Sequence, residues 1–159
     1  MDLFLDCEWA DTLASELVSI ALVSSDERHV FYAERDPLPS APTPWVRAVV
    51  YPLLDRGHAA MADADMTCAL RKFLVTVDAP CIWYDFGLDR SLCQYVIDGF
   101  EIPEPKGPVP ANLRWQSCEG VKHDLEKWWL ANPEHLRKRH HALIDALTLR
   151  RVCLENRRT

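Results

Sequence analysis

The segment "LFLDCEW", residues 3–9, is followed within ten residues by "ELVSIALVSS", an almost unbroken apolar run. No other feature constrains the fold as tightly. An apolar run of that length, bounded by turn residues, reads as a buried strand. The first segment begins in the same way and then carries Asp6 and Glu8, two places apart. Side chains i and i+2 of a strand point the same way, so these two carboxylates sit side by side. Like charges that close repel, and burying either is expensive. A chain that builds this strand must bring something positive to its end.

The rest of the chain supplies the layers. "RHVFYAE" reads as a third strand, with "SDE" as the turn before it, giving a three-strand antiparallel meander. "RDPLPSAPTP" is a loop. Thr43 is placed to cap a helix with Pro44 at its first position, and Pro52 keeps that helix short. In "DADMTCALRKFLVTV" the residues Met66, Leu70, Phe73, Leu74 and Val77 recur at helical spacing. "APCIWY" is a short apolar strand, and "DRSLCQYVIDG" is a helix closed by Gly99. "FEIPEPKGPVPAN" reads as a long loop. "CEGVKHDLEKWWLAN" is helical up to Pro133, and "HHALIDALTLRRVCLEN" is the last helix. The segment between the last two strand–helix units is left as strand or loop. The sum is an α/β fold with a mixed sheet and flanking helices.

At 159 residues the chain suits a single domain, 1–159, with one core. No apolar stretch approaches the ~20 residues of a membrane span, and the N-terminus lacks the charge pattern of a signal peptide. The six cysteines form no C-x-x-C pair, which predicts free thiols and a cytoplasmic chain. The net charge of −6 argues against a nucleic-acid partner, but it is unevenly spread. From His135 onward seven basic residues (Arg137, Lys138, Arg139, Arg150, Arg151, Arg157, Arg158) face two acids, so an anionic ligand near the C-terminal segment is one expectation and a solvated helix face is the other.

Three further acids stand out. "WYDFGLDRSLC" puts Asp85 and Asp89 where a buried strand gives way to a helix, a position that capping alone would explain. Asp145 lies within an otherwise apolar helical stripe, where an acid needs an ion pair or a bound cation. Carboxylates from a strand, a strand–helix junction and a helix can converge at one sheet edge and lose their repulsion by sharing divalent cations. Hard oxygen donors suit Mg²⁺ or Mn²⁺. A pair of such ions forms a clamp for in-line displacement at phosphorus.

Taken together, "FLDCEW", "ELVSIALV", "DFGLD" and "HHALIDA" resemble the DEDD (DnaQ-like) exonuclease superfamily on a ribonuclease H-like fold. The motifs occur in the family's order and cover most of the chain. D-x-E alone is unspecific, whereas H-x-A-L-x-D-A is specific and its histidine marks the DEDDh branch. The length and the "LCQ" after the second motif look most like the small bacterial 3′-exoribonuclease group typified by the mycobacterial polyadenylate-specific enzyme. The resemblance implies a 3′→5′ exoribonuclease that shortens single-stranded RNA to nucleoside monophosphates with two metal ions. DNA as substrate and a degenerate binding-only member are the alternatives.

Carried over position by position, the resemblance makes Asp6, Glu8, Asp89 and Asp145 metal ligands and His140 the general base. Two choices stay open. His141 and Asp145 are i and i+4 on a regular helix and would share a face, so helical geometry favours His141 over His140. Asp85 competes with Asp89. Trp9 points opposite to Glu8, into a core, if the strand continues. If the strand ends at Glu8, its ring could stack on a terminal base. Trp128 and Trp129 suit a core or a homodimer face. Arg137, Lys138 and Arg139 could meet phosphate.

Overall fold

The computed structural model describes residues 1–157. Six strands form one mixed sheet: β1 (Asp2–Trp9), β2 (Leu17–Ser24), β3 (Val30–Arg35), β4 (Ala60–Met61), β5 (Cys81–Tyr84) and β6 (Arg114–Ser117), in the order β4-β3-β2-β1-β5-β6. The first three pair antiparallel as the meander predicts. β5 lies parallel to β1, β6 parallel to β5, and β4 parallel to β3. Five helices flank the sheet: α1 (Pro44–Val49), α2 (Asp63–Thr76), α3 (Gly87–Asp98), α4 (Lys122–Ala131) and α5 (Ala142–Asn156). This is the α/β class read from the sequence, and the arrangement is consistent with a ribonuclease H-like fold.

Local chemistry explains most boundaries. The Thr43 hydroxyl accepts the Val46 N–H at 3.2 Å and starts α1 beside Pro44, while a single 3₁₀ turn at Tyr51–Leu53 takes over before Pro52. Gly99 ends α3 at φ 106°, a left-handed position that suits a residue without a Cβ. Two strands escape the periodicity. β4 has two residues, too few for any pattern. β6 is a short edge strand whose Arg114 and Gln116 face solvent, so it lacks the apolar run that marks β2.

β1 sits at the centre and its two faces diverge. Leu3, Leu5 and Cys7 pack with Ile20 and Leu22 against α2 and α3 through Met66, Leu70, Cys93 and Val96. Each such side chain contributes about 1.5–3 kcal/mol by leaving water. Phe4 faces the other way, against Leu149, Val152 and Cys153 of α5. Asp6 and Glu8 follow Phe4 on that second face. There Ala21 and Val23 of β2 meet Ala142 and Ala146 of α5. Small residues on both sides let the helix approach the sheet closely, and Asp145 rides in with Ala146.

Several side chains settle into structural work. Trp128 packs against the α4–α5 cluster, and the buried Trp129 meets it edge-on and lines the cavity at the end of β1. The six cysteines are free. Much of the C-terminal positive charge is consumed by contacts within the fold: Arg150 with Glu27 and the Ser24 and Ser25 carbonyls, Arg151 with Glu155, and Arg157 with Asp2. Arg158 lies outside the described residues. Among the described residues no helix is long and apolar enough to cross a membrane.

Candidate metal centre

β1 pairs with β5 only from Asp2 to Phe4. Beyond Phe4 the two strands part, and β1 runs on alone on that side. The chain order reverses at β1, with β2 on one flank and β5 on the other. A crevice beyond the strand ends at such a reversal is where open α/β sheets take ligands. Here it is a cavity of about 500 Å³ whose lining includes Asp6, Glu8, Trp9, Asp85, Asp89, His140 and Asp145.

Each acid arrives by a different route. Asp6 and Glu8 come from the free end of β1. Asp85 follows β5 directly, and Asp89 sits in the first turn of α3, one turn before the buried Leu92 and Cys93. The Cys7 thiol lies 3.7 Å from the Asp89 carbonyl and ties the start of α3 to β1. Asp145 comes from the first turn of α5. The ligand atoms fall into two sets, Asp6 with Asp85 and Asp89, and Glu8 with His140 and Asp145, each within 4.8 Å of one another. Asp85 and Asp89, alternatives in the sequence, therefore stand together.

The two histidines separate. His140 precedes α5 in a left-handed conformation, φ 72°, which costs a non-glycine residue about 1–3 kcal/mol. Its backbone N–H donates to Asp145 Oδ2 at 3.0 Å, and its ring sets Nδ1 4.0 Å from Glu8 Oε1. Trp45 of α1 presses edge-on against that ring at 4.8 Å. His141 turns away, buried, stacked on Tyr32 at 4.7 Å and facing Asp55. The i, i+4 rule that favours His141 fails because α5 begins only at Ala142, so both histidines lie outside its helical register.

The electrostatics are those of an overcharged pocket. Burial, reinforced by Asp145, Asp89, Glu8 and Asp85, pushes the Asp6 carboxyl well above the usual range. Glu8 and Asp89 are raised for the same reason, burial first and neighbouring carboxylates second. Burial lifts Asp145 to about 7, against the pull of the His140 N–H and Arg139. Burial and Arg139 together push His140 below the ordinary histidine value, so the imidazole is neutral at physiological pH. Arg139 is itself engaged by Glu126. Among the described residues, no cation forms an ion pair with Asp6, Asp89 or Asp145.

Three buried oxygens, Asp6 Oδ2, Asp89 Oδ1 and Asp145 Oδ1, have no hydrogen-bond partner. An orphaned buried carboxylate oxygen is costly and rare. Three around one cavity, all hard oxygen donors with one imidazole among them, fit a site for divalent cations of the Mg²⁺ or Mn²⁺ type.

Trp9 lines the cavity. The β1–β2 register shifts between Glu8 and Trp9, which breaks the strict alternation and lets the ring stack on Phe86 at 5.9 Å. Arg139 lines the cavity, whereas Arg137 and Lys138 lie in an exposed 3₁₀ turn outside it. The sequence reading missed Trp45, Phe86 and Lys122. No periodicity marks them, because each comes from the first turn or edge of an element whose helical or strand signal lies elsewhere. Comparison with protein families and with curated proteins finds no match to this chain.

Proposed function

We propose that this chain is a DEDDh-type 3′→5′ exonuclease that uses divalent cations to release nucleoside monophosphates from single-stranded RNA. The observation that carries it is the convergence of five carboxylates and a neutral histidine around one cavity, with three buried carboxylate oxygens unpartnered. Structural acids end up paired, and these do not.

In this assignment Asp6, Glu8, Asp85, Asp89 and Asp145 hold the cations. Bound there, Mg²⁺ or Mn²⁺ supplies Lewis-acid polarisation of the scissile phosphate and cancels the charge of substrate and site. His140 accepts the proton of the attacking water, a role its lowered pKa and its position facing Glu8 support. Asp145 holds His140 in place through the backbone N–H, so it acts on both the base and the cation site. Trp9 offers its face to a base from the cavity wall. The 3′ polarity and the choice of RNA come from the motif resemblance.

The experiment is digestion of 5′-labelled RNA and DNA oligonucleotides with and without Mg²⁺ or Mn²⁺. Stepwise shortening from the 3′ end, only with metal and faster on RNA, is expected. A circular RNA that is cut internally would refute the exonuclease assignment. Faster loss of DNA would replace the substrate and keep the chemistry.

A further inference from the structure

At the rim of the acid cavity, toward β6, the lining changes from acids to rings and cations. Phe86 is 39% exposed, immediately precedes α3, and stacks on Trp9. The Lys122 ammonium lies 4.5 Å from the Phe86 ring centre. One turn along the same face of α3, the Arg90 guanidinium lies 5.5 Å from the ring of Trp115 on β6, which in turn meets Tyr84. A shallow groove there is lined by residues that include Tyr84, Arg90, Ser91 and Gln94, with Asp98 at its far end held by Gln94. Among the described residues Lys122 and Arg90 each lie over a ring, and Lys122 also acts electrostatically on Asp85 and Asp89. Here two cations meet two rings in succession, the exposed Phe86 and the half-buried Trp115.

We infer that this strip, Lys122–Phe86–Arg90–Trp115, is the track that holds the single-stranded nucleic acid behind its terminal nucleotide. The inference rests on the function proposed above and adds where the strand runs. A single strand offers phosphates for cations and bases for ring faces, and alternating cations with aromatics match that chemistry. The strip is continuous with the cavity through Phe86, which contacts Trp9 on the cavity side and lies four residues before Arg90 on the groove side. Lys122 stands on the cavity side, where it faces Asp85 and Asp89, and Arg90 stands on the groove side, so a strand running from one to the other meets a cation at each end.

The test is fluorescence anisotropy with labelled RNA and DNA oligonucleotides of about two to ten nucleotides in Ca²⁺, across a salt series. It needs no turnover. Affinity should rise with length, and Arg90→Ala should reduce the slope of log K against log salt by about 0.7, the share of one phosphate contact on a single strand. Arg90→Lys should restore the slope. Trp115→Ala should weaken the longer oligonucleotides by roughly 5- to 150-fold, the range of one lost stacking contact. Equal slopes for wild type and Arg90→Ala, or affinity independent of length, would overturn the track. Length-dependent binding without hydrolysis in Mg²⁺ or Mn²⁺ would leave the track standing and remove the proposed activity. Comparing the RNA and DNA arms shows which sugar the track prefers.

Discussion

Two buried acidic sites lie on opposite sides of α5's first turn, and they differ in one respect. Glu34 on β3 is fully buried. Its carboxylate accepts the Tyr32 hydroxyl at 2.5 Å, the Asp55 and Arg56 N–H groups at 2.6 and 2.9 Å, and lies 3.4 Å from Arg56 Nη1. Every oxygen is answered by a donor, and the result is a pinned loop. The cavity acids are buried or half-buried and face one another, with Asp6, Asp89 and Asp145 each leaving a buried oxygen unanswered. Burial of a carboxylate is therefore uninformative by itself. What distinguishes a structural acid from a poised one is whether the fold supplies its donors.

That contrast can be broken by substitution. The largest effect is expected at the cavity. His140→Ala should lower kcat by roughly 10²–10⁴-fold, the usual share of a positioned base, and leave cation binding largely intact. Asp145→Ala should lose activity and cation binding together. Steady-state kinetics beside a calorimetric Mn²⁺ titration separates the two outcomes.

Glu34→Ala should act on the other side of the comparison. It removes the acceptor for two buried N–H groups and a hydroxyl, and should cost about 3 kcal/mol, or roughly 6–12 °C in Tm for a chain of this size. Its Mn²⁺ isotherm should match the wild type. A Glu34→Ala variant that melts normally would mean its donors find water without penalty.

In metal-free protein the cavity acids should show the opposite sign. A carboxyl whose folded pKa is raised contributes stability that is full below its unfolded value and lost as pH rises through the folded one. Asp145, near 7 when folded against 3.8 as its ordinary value, sets the window. In EDTA the Tm should fall as pH climbs from about 4 to about 8. Asp145→Asn should flatten that fall and raise stability at about pH 8 by on the order of 1–3 kcal/mol. A flat wild-type profile would show that burial and neighbouring carboxylates do not hold these groups above their ordinary range.

The smallest effect is expected at His141. Its Ala variant should lose packing against Tyr32 and reduce kcat by less than about tenfold. If it proves crippled while His140→Ala stays active, the base has been assigned to the wrong ring.

The sheet's centre was legible in the sequence because β1 and β2 carry its strongest signals, an i, i+2 acid pair and an unbroken apolar run. The edges were not: β4 and β6 are short and polar-faced, and edge pairing leaves little mark on composition. At the cavity, the residue types and the convergence of strand, junction and helix could be anticipated. The separation of His140 from His141 depends on a left-handed residue and a helix start, which spacing rules cannot reach. Asp85 joining Asp89 depends on where β5 stops. Phe86 and Lys122 belong together only because α3 and α4 begin side by side.

The decisive measurement is a thermal melt of wild type and Asp6→Asn in a Mn²⁺ series at about pH 8, above the value near 7 to which burial lifts Asp145. Binding to the folded state alone adds about 2.7 kcal/mol at a hundredfold excess over Kd. Wild type should therefore gain several degrees, saturating with Mn²⁺, while Asp6→Asn should start higher in EDTA and gain little. A wild-type curve that Mn²⁺ leaves unmoved, or an equal gain in both proteins, would contradict a cation site built from these carboxylates.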